Sequence, residues 1–134
     1  MLVGYDNING AIDFIISNLY ETKNKDCLIK IKNEYPNIKL VLATNHVSNI
    51  KKFVEKEFNG IFDNVFISAD ICANKPNKEF FKKILDAQKI DAKNMLFIDD
   101  NIDNVIGADK LNIQTIHLTR EKNMYDEIKK IIEI

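Results

Sequence analysis

Two carboxylates stand side by side at Asp99 and Asp100, directly after the apolar run Met95-Leu96-Phe97-Ile98 and just before a helical pattern that opens at Ile102. Four apolar residues between polar flanks read as a buried strand. In open α/β sheets, ligands sit at the carboxyl ends of such strands. Two acids placed there repel one another unless they share a cation or a proton. For an all-oxygen site the usual cation is Mg²⁺, held by one or two carboxylates, waters and a substrate phosphate. The competing reading is a turn whose aspartates cap the next helix, and the pair alone fits both. Polar residues recur at comparable places elsewhere. Thr44-Asn45 follows the apolar run Lys39–Ala43, and Lys75-Pro76 precedes the helical spacing of Phe80, Phe81, Ile84 and Leu85. Thr and Asn are also ordinary N-caps, and a lysine before proline carries no meaning by itself.

The elements that must position these residues alternate. In Ala11–Tyr20, Ile12, Ile15, Ile16 and Leu19 follow the i, i+3, i+4, i+7 spacing of a helix face. The polar stretch Glu21–Asp26 reads as a connection. Leu28, Ile31 and Tyr35 mark a second helix that Pro36 stops. Lys39–Ala43 is a strand, followed by a helix with Val47, Ile50, Val54 and Phe58 on its apolar stripe and Asn59-Gly60 as its cap. Val65–Ile67 is a short strand entering the loop Ser68–Lys75, and Asn77 is the expected N-cap of the next helix. After the strand Met95–Ile98 come a helix over Ile102–Leu111 ended by Asn112, a strand over Ile113–Leu118, and an amphipathic helix marked by Met124, Ile128 and Ile131. This alternation from Leu40 onward predicts an α/β fold, a three-layer Rossmann-like sandwich with a mostly parallel sheet.

With 134 residues the chain has the length of one ordinary domain. Its 19 basic and 20 acidic residues leave a net charge of −1, which gives no electrostatic footprint for nucleic acid or an anionic membrane. No apolar run approaches the 18 or so residues of a membrane span, and no signal peptide is evident, so a cytoplasmic protein is expected. Cys27 and Cys72 match no metal spacing and are expected as reduced, semi-buried thiols.

Taken together and in this order, Thr44-Asn45, Lys75-Pro76, and Ile98-Asp99-Asp100 with Asn104 resemble motifs two, three and four of the haloacid dehalogenase-like hydrolases. The closest likeness is to phosphatase-like members whose fourth motif is a double aspartate. The resemblance covers roughly Lys39–Leu118 and implies a phosphatase that forms an aspartyl-phosphate with Mg²⁺. It implies that Thr44, assisted by Asn45 and by amides at the helix start, receives a phosphoryl oxygen. Lys75 would supply positive charge. Asp100 would take the metal-ligand place with Asp99 beside it, and Asn104 or Asp103 would orient the ligand. His46 adjoins the phosphate loop and is read as an exposed first-turn residue, with modulation of substrate contact as the alternative, and His117 is read as structural. Cys72 stands near a place where the family has glycine.

The family's first motif is a strand ending in Asp-x-Asp, nucleophile then general acid/base, and no Asp-x-Asp occurs in this chain. Asp6 is the nearest substitute, but Ile8 falls at the acid/base place. The helical reading of Ala11–Tyr20 makes residues 1–25 either a cap remnant or a degenerate first strand. Without the central strand, the edges of Lys39–Ala43 and Met95–Ile98 would face a gap of roughly 10 Å. Met1–Tyr5 is the first choice to fill it, which would carry Asp6 to the site. Direct pairing of the two flanking strands, a homodimer lending a segment and an N-terminal segment supplied in trans are the alternatives. The expected ligand is a small phosphorylated metabolite, with Mg²⁺ bound weakly. The functions in competition are a truncated hydrolase, weakly active or inactive alone, and a non-catalytic pseudoenzyme or module that binds phosphate or metal. A receiver-like signalling domain fits less well, because its acidic pair would follow the first strand.

Overall fold

A computed structural model describes residues 2–5, 12–16, 22–46 and 48–132. Among the described residues, six strands form one sheet in the order β4-β3-β1-β2-β5-β6. They are β1 Leu2–Tyr5, β2 Ile12–Ile16, β3 Ile38–Thr44, β4 Asn64–Ile67, β5 Met95–Asp99 and β6 Gln114–His117. The helices are α1 Thr22–Glu34, α2 Ile50–Glu57, the single turn α3 Ser68–Ile71, α4 Lys78–Gln88, α5 Ile102–Asp109 and α6 Met124–Ile132.

β3 and β5 are buried on both faces, the condition of parallel strands covered by helices on each side. Alternation then sorts their side chains into two cores. Leu40 and Leu42 of β3, with Leu96 and Ile98 of β5, pack among Leu28 and Ile31 of α1, Val54 of α2 and Ile128 of α6. Val41, Ala43, Met95 and Phe97 face the other way, against Phe80, Phe81 and Ile84 of α4 and Ala108 of α5. The Phe81 and Phe97 rings meet edge to face at 5.1 Å. Each fully buried leucine or phenylalanine contributes about 1.5–3 kcal/mol, so the two strands that end at the site are firmly held by both cores.

β4 is parallel to β3, with Thr44 opposite Ile67, and β6 is parallel to β5, with Asp99 opposite His117. The amino-terminal strands differ from expectation in two ways. The helix expected over Ala11–Tyr20 gives way to β2, since Ile12–Ile16 is strand. Its four apolar residues out of five, three of them β-branched, suit a buried strand as well as a helix face. β2 runs parallel to both central strands, with Ile12 opposite Ile38 and Ile16 opposite Ile98. β1 does join the sheet, with Val3 opposite Leu96, but it runs antiparallel. Gly4 therefore lies opposite Met95, and the chain leaves β1 at the amino end of β5, away from Asp99. The route that would have brought Asp6 to the site is overturned by this direction, and Asp6 itself lies outside the described residues.

Smaller corrections follow the same logic. The connection expected over Glu21–Asp26 is helical from Thr22, and the loop expected over Ser68–Lys75 begins with α3. Asn112 adopts φ 63°, the left-handed cap conformation anticipated for it. Cys27 is half-buried, and burial pushes its thiol up to about 11. Cys72 is exposed rather than semi-buried.

Candidate functional site

The carboxyl ends of β3 and β5 open onto one cluster. β5 delivers Asp99 as its last residue, 2% exposed, and the chain turns at once into α5. That turn has a local cause. The Asn101 side chain accepts from the Asp103 amide at 2.9 Å and caps α5, and the Asn101 amide donates to Asp99 Oδ1 at 2.9 Å. One turn into α5, Asn104 is buried and its Nδ2 donates to Asp99 Oδ2 at 3.0 Å. Of the two candidates for this place, Asn104 reaches Asp99, and Asp103 sits exposed in the first helical turn.

Lys75 enters from the segment before α4. Its Nζ lies 3.3 Å from Asp99 Oδ2 and donates to the Ala43 carbonyl of β3 at 3.1 Å. The ammonium is 4% and the carboxylate 1% exposed, so this is a buried ion pair whose partners also hold other hydrogen bonds. Burial pushes Lys75 below its ordinary value of 10.5, and the charge and hydrogen bond of Asp99, then the charge of Asp100, offset this only in part. Asp99 is thus the hub of the cluster. Asp100 is exposed beside it, its carbonyl 3.0 Å from His117 Nε2.

β3 ends at Thr44, which is buried, and the chain continues into Asn45 and His46 before α2. The Asn45 side chain pairs twice with the Lys75 backbone: Nδ2 donates to the carbonyl at 3.0 Å, and the Lys75 amide donates to Oδ1 at 2.9 Å. Sequence reasoning did not find Ser68, whose hydroxyl accepts from the His46 amide at 2.9 Å and donates to the His46 carbonyl at 3.2 Å. Ser48 bonds Asp70 through its hydroxyl, so α3 holds the β3 loop at two places. Gly107 was missed as well. A Cβ there would lie 2.5 Å from the Pro76 carbonyl oxygen, so the missing side chain is what lets α5 close against the Lys75-Pro76 segment. An isolated glycine inside a helical pattern was the available signal.

Of the two acids expected to hold Mg²⁺, Asp100 is exposed and Asp99 is already engaged. Both Asp99 oxygens accept from N–H donors, one of them an ammonium that would oppose a second cation. Among the described residues no three His, Cys, Asp or Glu side chains are grouped to hold a metal.

A buried lysine–aspartate pair thus stands near the carboxyl ends of the parallel strands β3 and β5, with Thr44-Asn45 at the end of β3. The model of the haloacid dehalogenase-like hydrolases matches residues 11–118, and the chain belongs to that family. A crystal structure of an uncharacterized protein from Corynebacterium glutamicum superposes with a TM-score of 0.74 at 20% identity, covering 91% of this chain and 95% of that one. A HAD family enzyme from Bacteroides thetaiotaomicron, an Asp12Ala mutant in complex with magnesium and inorganic phosphate, aligns at 24% identity with a TM-score of 0.69, over 84% of this chain and 59% of its own. Among curated proteins, the sesquiterpene phosphatase astK of Aspergillus oryzae is 31% identical over 72 residues, 54% of this chain and 37% of that protein. The drimenol cyclase drtB of Aspergillus calidoustus is 27% identical over 71 residues, 53% of this chain and 13% of that protein. The chain therefore matches well under half the length of either curated relative. Among the described residues, no helix is long and apolar enough to cross a membrane.

Proposed function

We propose that the chain carries a phosphatase-type phosphoryl-binding site whose reacting half is degenerate, so that alone it hydrolyses phosphate esters weakly or not at all. One observation supports this above others. β2 runs parallel to both β3 and β5, as the family's first-motif strand would, and its sequence is Ile12-Asp13-Phe14-Ile15-Ile16. Its one carboxylate, Asp13, is opposite Met95 at the amino end of β5, and the register position opposite Ile98 belongs to Ile16. An isoleucine can neither attack phosphorus nor transfer a proton.

What is kept is the receiving half. Thr44 with the amides after β3, and the Lys75 charge, suit a small phosphorylated metabolite. The phosphatase astK and the phosphate complex of the Bacteroides enzyme make the same ligand chemistry the first choice here. By this reading Mg²⁺ would rest on Asp100 with little help from the engaged Asp99, and its affinity is no tighter than about millimolar.

The test is hydrolysis of a generic aryl phosphate by the purified chain with Mg²⁺. General acid/base catalysis alone contributes about 10²–10⁴-fold, so the expected result is no turnover above background. Turnover near ~1 s⁻¹, a common enzyme rate, that disappears in Asp6→Asn would overturn the reading and restore Asp6 as nucleophile.

A further inference from the structure

Asn45 was expected to touch the phosphoryl group, yet its side chain is engaged elsewhere. Its amide oxygen and nitrogen bond the amide and carbonyl of a single residue, Lys75, at 2.9 and 3.0 Å. We infer that Asn45 is a positioning residue, a two-point brace that fixes the Lys75 backbone so that its ammonium is held between the Ala43 carbonyl and Asp99. The inference rests on reading Lys75 as the charge that receives the anion.

The need for such a brace follows from the surroundings. Lys75 lies in a segment between α3 and α4, outside any helix or strand, so no ladder orders its backbone. A lysine side chain loses up to about 2 kcal/mol of rotamer freedom when ordered, and its ammonium here is almost wholly buried. Only an accurately placed backbone lets one ammonium reach both oxygens, at 3.1 Å and 3.3 Å. Asn45 is well placed for this, being the first residue beyond β3 and hence fixed to the sheet. Gly107 provides the second support, receiving Pro76 where any side chain would collide. The planar carboxamide, one donor and one acceptor a fixed distance apart, matches the amide and carbonyl of one residue as few other side chains can.

The experiment uses the full chain with ¹⁵N-labelled lysine. A buried, hydrogen-bonded ammonium exchanges slowly enough to give its own Nζ signal, assigned as Lys75 by its loss in Lys75→Met. In Asn45→Ala the signal should vanish or broaden while the fold persists, and in Val54→Ala, a destabilised control in α2, it should remain. If Asn45→Ala does not fold, Asn45→Ser, which keeps a single hydroxyl, should weaken the signal in the same direction. Inorganic phosphate affinity, measured alongside, should drop about tenfold in Asn45→Ala, the loss of one charge-assisted hydrogen bond of about 1.4 kcal/mol. A Lys75 signal unchanged in Asn45→Ala overturns the inference, and if phosphate affinity falls nonetheless, Asn45 is a direct phosphate ligand. Should the unmodified chain bind no phosphate, the proposed function fails, while the ammonium signal still decides the role of Asn45.

Discussion

The carboxyl ends of β5 and β2 face the same end of one sheet with opposite chemistry. β5 ends in Asp99, with one ammonium, one carboxamide and one backbone amide arranged around its two oxygens. β2 ends in Ile15-Ile16, apolar at the register positions opposite Phe97 and Ile98. Both strands fill parallel places in the sheet, so the contrast is one of residue type, not of scaffold. One strand end carries a polar cluster while the neighbouring parallel strand ends in isoleucines. Packing holds the first arrangement in place whether or not the second can react.

If that contrast is right, the β5 end carries stability as well as function, and breaking it should cost most. Lys75→Met removes one partner of a buried pair and leaves the Asp99 charge uncompensated, which should destabilise the chain by about 3–5 kcal/mol in urea unfolding. The cost should depend on pH with a definite sign. Lys75 holds its proton less tightly in the folded chain than at its ordinary value of 10.5. In the alkaline window just below that value the unfolded state therefore binds more protons, and the native chain gains stability as pH rises. The gap between wild type and Lys75→Met should widen from pH 8 to pH 10, and a gap that narrows would mean Asp99 overcompensates for burial.

Gly107→Ala probes the same cluster from beneath. The added Cβ cannot coexist with the Pro76 carbonyl at 2.5 Å, and the latter is backbone, so a strain of about 1–3 kcal/mol is expected in the same unfolding assay. No loss would mean that α5 and the Lys75-Pro76 segment separate freely.

The smallest effect is stabilising. Cys72 holds φ 55° and ψ 39°, the left-handed region, with its amide donating to the Ser68 carbonyl. The backbone shape associated with glycine is kept here by a residue that pays for it in steric strain. Cys72→Gly should raise stability by up to about 1 kcal/mol, since a side chain costs about 1–2 kcal/mol in that conformation and glycine's greater unfolded-state freedom returns part of it.

The β5 end was legible in the sequence because its signals are local. An apolar run, two acids and an Asn-capped helix lie within ten residues. β2 was not legible. Ile12, Ile15, Ile16 and Leu19 satisfy helical spacing while Ile12–Ile16 equally satisfies a buried strand, and only pairing with β3 and β5 decides between them. The direction of β1 is likewise a matter of partners, not of its own residues. The Asn45 brace lay out of reach for a similar reason, since it spans thirty positions of sequence. The Thr-Asn pair announces a cap or a phosphate ligand, and neither reading mentions the Lys75 backbone.

The central claim is a phosphate-receiving half-site beside a strand that cannot react, and its most direct test is a titration of the full chain with inorganic phosphate followed through backbone amide signals. Saturable shifts centred on Thr44, Asn45, His46 and Lys75, with those of β4 and α6 unmoved, are the predicted result. No saturable shift at those four residues, or shifts centred elsewhere, would contradict it.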